Sequence, residues 1–372
     1  MNIRRHVMNM ATVSVESTSF SRLDLNPTNN HNIVVGLNGA LQKRFILQNG
    51  QKLVPGDVHR ASRVDFGVGG KGQDVAIALR CLQEQRGLSG DGETDDDEAA
   101  AASNESSSNN IRLVQFVGTG FAGDTVHNLL NDRLGEETME FTVRSSSEMR
   151  TCTSIVAADE TTELVEPSGI ITNDELEELF SIIPSNQNGI SKERCLDSLC
   201  IMGSMPPGVP EDTYARIYAQ LAGPNTVCVV DSLAGIGPLL QTISEFGNRD
   251  GKAITVGPVL FKMNASELCK LAGTPKSNNE ADGISVSEMI DAIEGFMKKY
   301  LIGSTKNDPL GGVIGLAITD GKHDAYFVNI GNMNSQEDQT SPSQRFKVFQ
   351  LPVPNLENYS PRALYPIGAG GK

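Results

Sequence analysis

The sequence predicts an α/β fold: a mostly parallel central sheet with helices on both faces, plus a small β-sheet lid. Short apolar runs such as "NIVVGL" (32–37) alternate with amphipathic helical segments along most of the chain, and alternation on that scale builds a parallel sheet covered on both sides. Two β-prone stretches, 43–66 and 139–157, break this rhythm and are expected to form the separate small sheet. A third interruption, 83–110, is one of composition.

Residues 32–37 are suited to a central strand. Asn-Gly and Pro-Gly turn signals divide 43–66 into small ribbons. "GVGGKG" (67–72) then opens a helix on which Val75, Ala78, Leu79 and Leu82 form an apolar face. Six acids between Asp91 and Glu98, followed by Ala and then Ser/Asn, cannot bury enough apolar surface to offset the entropy of ordering. Residues 83–110 are therefore expected to be a disordered acidic insertion.

Strand 111–117 and helix 123–134 resume the alternation. Thr172-x-x-Glu175 makes a capping box for the next helix. Strand 198–202, a helix after Pro210, strand 226–231 and a helix near 233–246 follow, then strand 254–261 and a helix from Asn264. Ser285-x-x-Glu288 caps a helix over 286–301, with Met289, Ile290, Ile293, Phe296, Met297 and Tyr300 as its buried stripe. Strands at 313–319, 324–329 and 346–351 complete the pattern.

Composition narrows the function classes. A net charge of −15 without a dense basic patch argues against nucleic acid and favours a small-molecule ligand, which local cations must hold if it is anionic. No apolar run approaches the roughly 20 residues of a membrane helix. Six scattered cysteines without a C-x-x-C pair, beside five histidines, suggest reduced thiols in a cytoplasmic protein and no zinc site. Residues 1–31 carry Arg4, Arg5 and Arg22 without an apolar stretch, so they are expected to be a disordered leader, with organelle targeting as the alternative.

Two familiar glycine templates are tested by spacing. A P-loop fails at Gly70-Lys71, because Asp65 stands at its first position and Gly72 replaces Ser/Thr; it fails at Gly371-Lys372, because Pro366 replaces the first glycine. Gly67, Gly69 and Gly72 satisfy G-x-G-x-x-G, but the strand before them belongs to a ribbon region, not to a first core strand.

The order of motifs says more. "GLNGALQ" (36–42), "GVGGKGQDVA" (67–76), "GTGFAGD" (118–124), "EMRTCTSIV" (148–156) and "TELVEPSG" (162–169) are followed by "GSMPPGVP" (203–210), "DSLAG" (231–235), "KMNASEL" (262–268), "ITDGKHDA" (318–325) and "YPIGAG" (365–370). This series resembles the ribokinase-like PfkB family of carbohydrate kinases, in particular its 1-phosphofructokinase and tagatose-6-phosphate kinase branch.

The resemblance implies a β-lid closing over a sugar or sugar phosphate, with ATP and Mg2+ as cofactors and the γ-phosphate passing to a sugar hydroxyl. It implies that Gly69, Gly70 and Asp74 face the sugar and that Arg150 holds the substrate's existing phosphate, with Arg60 as a second candidate. On the nucleotide side it implies Lys262, Asn264, Glu267, Thr319 and Gly321, with Glu267 acting on the metal through water. "GSMPPGVP" is expected to shape the sugar side of the cleft. The amides of Gly368, Ala369 and Gly370 would form an anion hole, and pairing through the lid would make a homodimer.

Three departures follow. The family's base, an aspartate, is here Gly371, which can accept no proton. Gln42 stands where the branch has an aspartate, and Asp74 where it has an asparagine, an apparent exchange of acid and amide. A kinase whose sequence is cut short within the nucleotide site is the first expectation; a non-catalytic pseudokinase that senses or scaffolds through sugar or nucleotide binding is the second.

Overall fold

The computed structural model describes residues 31–48, 50–88, 110–158, 160–184, 196–246, 257–274, 283–301, 313–321, 323–330 and 346–352. The chain enters through β1 (His31–Val35), where Val34 and Val35 are fully buried. It leaves the main body for a hairpin, β2 (Ala40–Leu47) and β3 (Ala61–Gly69), and returns through α1 (Lys71–Leu88). β4 (Ile111–Thr119), α2 (Gly120–Leu134) and β5 (Thr142–Glu148) lie in the main body, and β6 (Thr151–Val156) and β7 (Thr161–Val165) in the small sheet. From α3 (Asn173–Ile182) onward, β8 (Leu196–Met202), α4 (Thr213–Leu221), β9 (Val227–Asp231), α5 (Ile236–Phe246), β10 (Val259–Asn264) and α6 (Ala265–Ala272) alternate. α7 (Val286–Phe296), with a π-helical turn Met297–Leu301, leads to β11 (Val313–Asp320), β12 (His323–Asn329) and β13 (Lys347–Leu351).

Among the described residues the main sheet runs β13-β12-β11-β10-β9-β8-β1-β4-β5, antiparallel only at β12 and β13. The small sheet runs β3-β2-β6-β7. β1 pairs in parallel with both β4 and β8, so the sheet grows first through β4 and β5 and then in the other direction through β8, β9 and β10. Where strand order reverses, successive loops diverge and leave a crevice at the carboxyl ends of the strands.

The structure departs from the sequence expectations at identifiable places. The 139–157 stretch is divided: β5 pairs in parallel with β4, burying Val143 and Ser145, and only β6 belongs to the lid. α1 runs to Leu88, so 83–88 are helical, and 89–109 of the acidic insertion lie outside the described residues, as do residues 1–30. Of the expected Val75/Ala78/Leu79/Leu82 face, Val75 and Leu79 are partly buried against the core, and Ala78 and Leu82 are exposed. α1 meets the sheet through Gly72, Gln73 and Ala76, while Leu82 is 52% exposed. The reason is a close approach: a Cβ on Gly36, after β1, would come within 2.8 Å of the Gly72 Cα. β10 extends to Asn264, later than expected.

Capping boxes form at Thr172/Glu175, Asn264/Glu267 and Ser285/Glu288. Glu175 does more than cap. Its Oε1 accepts from the Ser146 amide (2.6 Å) and hydroxyl (2.8 Å) of β5, and its Oε2 from the Thr172 amide (2.8 Å). Burial alone would raise its pKa, but the bonds from the backbone and side chains of Ser146 and Thr172 outweigh that and hold it below the ordinary 4.5. A depressed carboxylate contributes its stability above the unfolded value, and the contribution fades as pH falls below 4.5 toward the folded value. Glu175→Gln is expected to cost about 1–3 kcal/mol at pH 7 and progressively less below pH 4.5. Urea denaturation at several pH values checks this; a cost independent of pH would contradict it.

Candidate functional site

The chain crosses between the two sheets at 36–39, at Gly70, at Met149–Arg150 and at 166–171. The first three crossings, the carboxyl ends of β8 and β9 and the first turn of α6 surround a cavity of about 640 Å³. From the lid side it is lined by Gln42, Arg44, Val68, Gly69 and Glu163, and from the first turn of α1 by Gly70, Lys71 and Asp74. The ends of β8 and β9 contribute Gly203 and Ser204, then Asp231 and Ser232, and the first turn of α6 contributes Glu267; Asn38 and Arg150 close the remaining wall.

Local geometry explains the wall. Asn38 Nδ2 donates to Ser204 Oγ (2.9 Å) and Asn38 Oδ1 accepts from Ser168 Oγ (2.8 Å), which ties the β1 exit to both neighbouring loops. Arg150 donates from Nη2 to the Asn38 carbonyl (3.0 Å) and from Nε to the Gly39 carbonyl (3.3 Å). That orients its guanidinium and leaves further N–H groups for a ligand. Gly70 has φ 127°, and a Cβ there would run into the Gln73 amide, so only glycine allows this close turn. Gln73, 1% exposed, is held by its Nε2 on the Gly36 carbonyl (2.8 Å) and on Gln115 Oε1 (2.9 Å).

A charged cluster sits at the β9 end. The Asp231 carboxylate, 12% exposed, accepts from Lys71 at 2.5 Å and from Lys262 at 2.8 Å. Two cations on one largely buried carboxylate satisfy it and leave a formal positive charge beside the cavity. Asn264 accepts from the Glu267 amide (2.8 Å), and Glu267 Oε2 accepts from the Asn264 amide (2.8 Å). Glu267 therefore caps α6 while lining the cavity. Thr319 pairs in register with Asn264, and its buried Oγ1 has no hydrogen-bond partner. Gly321 follows with φ 59°.

The structure thus brings Gln42, Gly69, Gly70, Asp74, Arg150 and Glu267 to one cavity. Lys262 reaches it through Asp231, whereas the Asn264 amide oxygen is committed to its cap. Arg60 is not on the cavity wall. It is exposed before β3, whose antiparallel register sets Gly69 opposite Ala40 and Ala61 opposite Leu47, at the far end of the hairpin. Gly368, Ala369, Gly370 and Gly371 lie outside the described residues. Asp74 stays solvent-accessible, yet the surrounding wall partly desolvates it and raises its pKa above 3.8. Gln42 Nε2 donates to the fully buried Ser154 Oγ at 2.5 Å.

Ser204 lies in the "GSMPPGVP" segment expected at the cleft, whereas sequence reasoning missed Lys71, Asp231, Asn38, Arg44 and Glu163 as wall residues. Two of these carried a signal: Asp231 sits at the carboxyl end of a parallel strand, where ligands bind, and Lys71 opens a helix. Arg44 and Glu163 carried none.

No known family's sequence profile matches the chain. Solved structures of similar fold include phosphofructokinase-2 from Escherichia coli in complex with fructose-6-phosphate, at TM-score 0.54 and 19% identity over 88% of this chain and 80% of that one. The same enzyme in complex with substrates and products gives TM-score 0.52 and 19% identity over 81% and 76%. Its tetrameric inhibited form gives TM-score 0.51 and 19% identity over 82% and 78%. Likeness at this identity is likeness of architecture. A large, mostly parallel sheet with helices on both faces and a separate small sheet is the ribokinase-like fold of the PfkB kinases, and this chain adopts it.

Proposed function

We propose that the protein binds a phosphosugar in the lidded cavity and Mg–ATP beside it, and that the chemistry is transfer of a phosphoryl group to a sugar hydroxyl. The observation that carries this reading is the convergence of Gln42, the Gly69–Gly70 turn, Asp74, Arg150 and Glu267 on one cavity at the switch point of a parallel sheet. Fructose phosphate and tagatose 6-phosphate are the leading substrates.

In this reading Gln42, Asp74 and the Gly69–Gly70 backbone hold sugar hydroxyls, and Arg150 holds the phosphate the sugar already carries. Mg–ATP supplies the phosphoryl group. The orphaned Thr319 hydroxyl and the Gly321 turn would suit nucleotide phosphate oxygens, and the Glu267 carboxylate, which lines the cavity, would serve the metal ion through a water. Lys262 adds positive charge there, and Asn264 sets the α6 cap that positions Glu267; Gly368, Ala369 and Gly370, outside the described residues, are the anion-hole candidates on the motif resemblance alone. Gly371 offers no proton acceptor, and general-base contributions are typically about 10²–10⁴-fold, so turnover is slow. That same glycine favours a second reading, a non-catalytic module that binds sugar or nucleotide as a sensor.

Calorimetric titration with fructose 6-phosphate, and ADP release in its presence, test both. Binding with slow, sugar-dependent ADP release supports the kinase. Binding without release supports the module, and no binding refutes both. The acid–amide exchange is tested in the same assay: Gln42→Asp with Asp74→Asn is expected to tighten sugar binding, while either change alone is not. Ser154 can donate to a carboxylate at position 42, and an amide at 74 removes a desolvated charge. Additive effects in this double-mutant cycle would count against the exchange.

A further inference from the structure

We infer that Arg44 holds the substrate's phosphate together with Arg150 and makes the cavity select a phosphorylated over a neutral sugar; this rests on the reading above. Arg44 follows Gln42 by two residues on β2, so both side chains leave the same face of the lid, and both line the cavity. Its Nε is buried without a hydrogen-bond partner. Arg63, Arg80, Arg112, Arg144 and Arg216 each pair with a carboxylate, whereas no such pair forms at Arg44 among the described residues.

In the lid register Arg44 pairs with Ser154 and Ser154 with Glu163, which places Glu163 two strands away, roughly 10 Å between backbones, and the two side chains form no ion pair among the described residues. The lid therefore presents a free guanidinium on one side of the cavity and a carboxylate on the other. A phosphate is drawn to the Arg44 side, and hydroxyls are left to Gln42, Asp74 and Glu163. The orphaned Nε shows that the Arg44 side chain is committed to no acceptor of the protein among the described residues, and the terminal nitrogens of a guanidinium offer a phosphate the charge-assisted fork that its oxygens match.

The test is calorimetric titration of the full chain with fructose 6-phosphate and with fructose. Arg44→Gln is expected to weaken fructose 6-phosphate binding about 10- to 100-fold and leave fructose unchanged, the effect of losing a charge-assisted bond. Arg44→Lys, which keeps the charge and loses the fork, is expected to lose about tenfold for the phosphosugar only. It decides the matter if the glutamine variant melts at lower temperature. Equal losses for both sugars, or no loss for either, would overturn the inference while wild-type binding keeps the kinase reading intact. A wild-type chain that binds neither sugar removes both.

Discussion

Arg150→Met is expected to weaken binding of a phosphosugar about 10²–10⁴-fold, with little change for the neutral sugar. The estimate takes two charge-assisted hydrogen bonds at about 1.5–3 kcal/mol each and tenfold per 1.4 kcal/mol. Arg150 is suited to such bonds because its own position is already set: Nη2 and Nε rest on the Asn38 and Gly39 carbonyls, so a ligand need not order the side chain. Arg150→Lys is expected to recover only part of the affinity, since an ammonium cannot grip those carbonyls and a phosphate together as a fork does. Titration with fructose 6-phosphate and fructose separates charge from packing. If methionine weakened both equally, Arg150 would be a hinge residue of the lid and not a phosphate holder.

Gly72→Val is expected to destabilise the fold by about 3 kcal/mol or more, at the upper end of overpacking effects. A Cβ at this position meets only backbone: the Gly36 Cα and amide and the Val35 carbonyl. None of these can swing aside as a side-chain tip can. The contact also positions Gln73 on the Gly36 carbonyl, so a displaced α1 would break a buried polar link and shift Gly70, Lys71 and Asp74 on the cavity wall. Urea denaturation of Gly72→Ala and Gly72→Val checks both, with alanine expected at about 1–3 kcal/mol. A valine variant as stable as the wild type would show that α1 does not rest on the β1 exit.

The features legible in the sequence were those that neighbouring residues impose on one another. Thr172/Glu175, Asn264/Glu267 and Ser285/Glu288 announce helix starts because donor and acceptor are three residues apart. On α7 the expected Met289, Ile293, Phe296 and Met297 are buried, since helical periodicity alone selects that face. α1 was misjudged for a complementary reason. Its contact with the sheet depends on how closely Gly36 and Gly72 approach, so small residues make the interface and the larger Leu82 is left outside.

The site divides along the same line. Gly69, Gly70, Asp74, Arg150 and Glu267 stand in motifs whose order along the chain marks them, and they meet at one cavity. The Lys71–Asp231–Lys262 cluster spans 160 residues between its first two members, and no local pattern announces it. β5 is a β-prone segment by composition, but whether it joins the lid or the main sheet is decided by its pairing with β4.

By itself the sequence determined the α/β class, the capping-box helix starts, the apolar stripe of α7 and the glycine turn at Gly69–Gly70. These follow from backbone sterics and periodicity over a few residues. Tertiary structure alone decided which sheet β5 enters, which face of α1 is covered, and that Arg44 lines the cavity while Arg60 does not. The reason is register: side chains in a strand alternate faces and advance along it by about 3.3 Å per residue, so whether a distant charge points into a cavity depends on pairings that no short stretch of sequence contains.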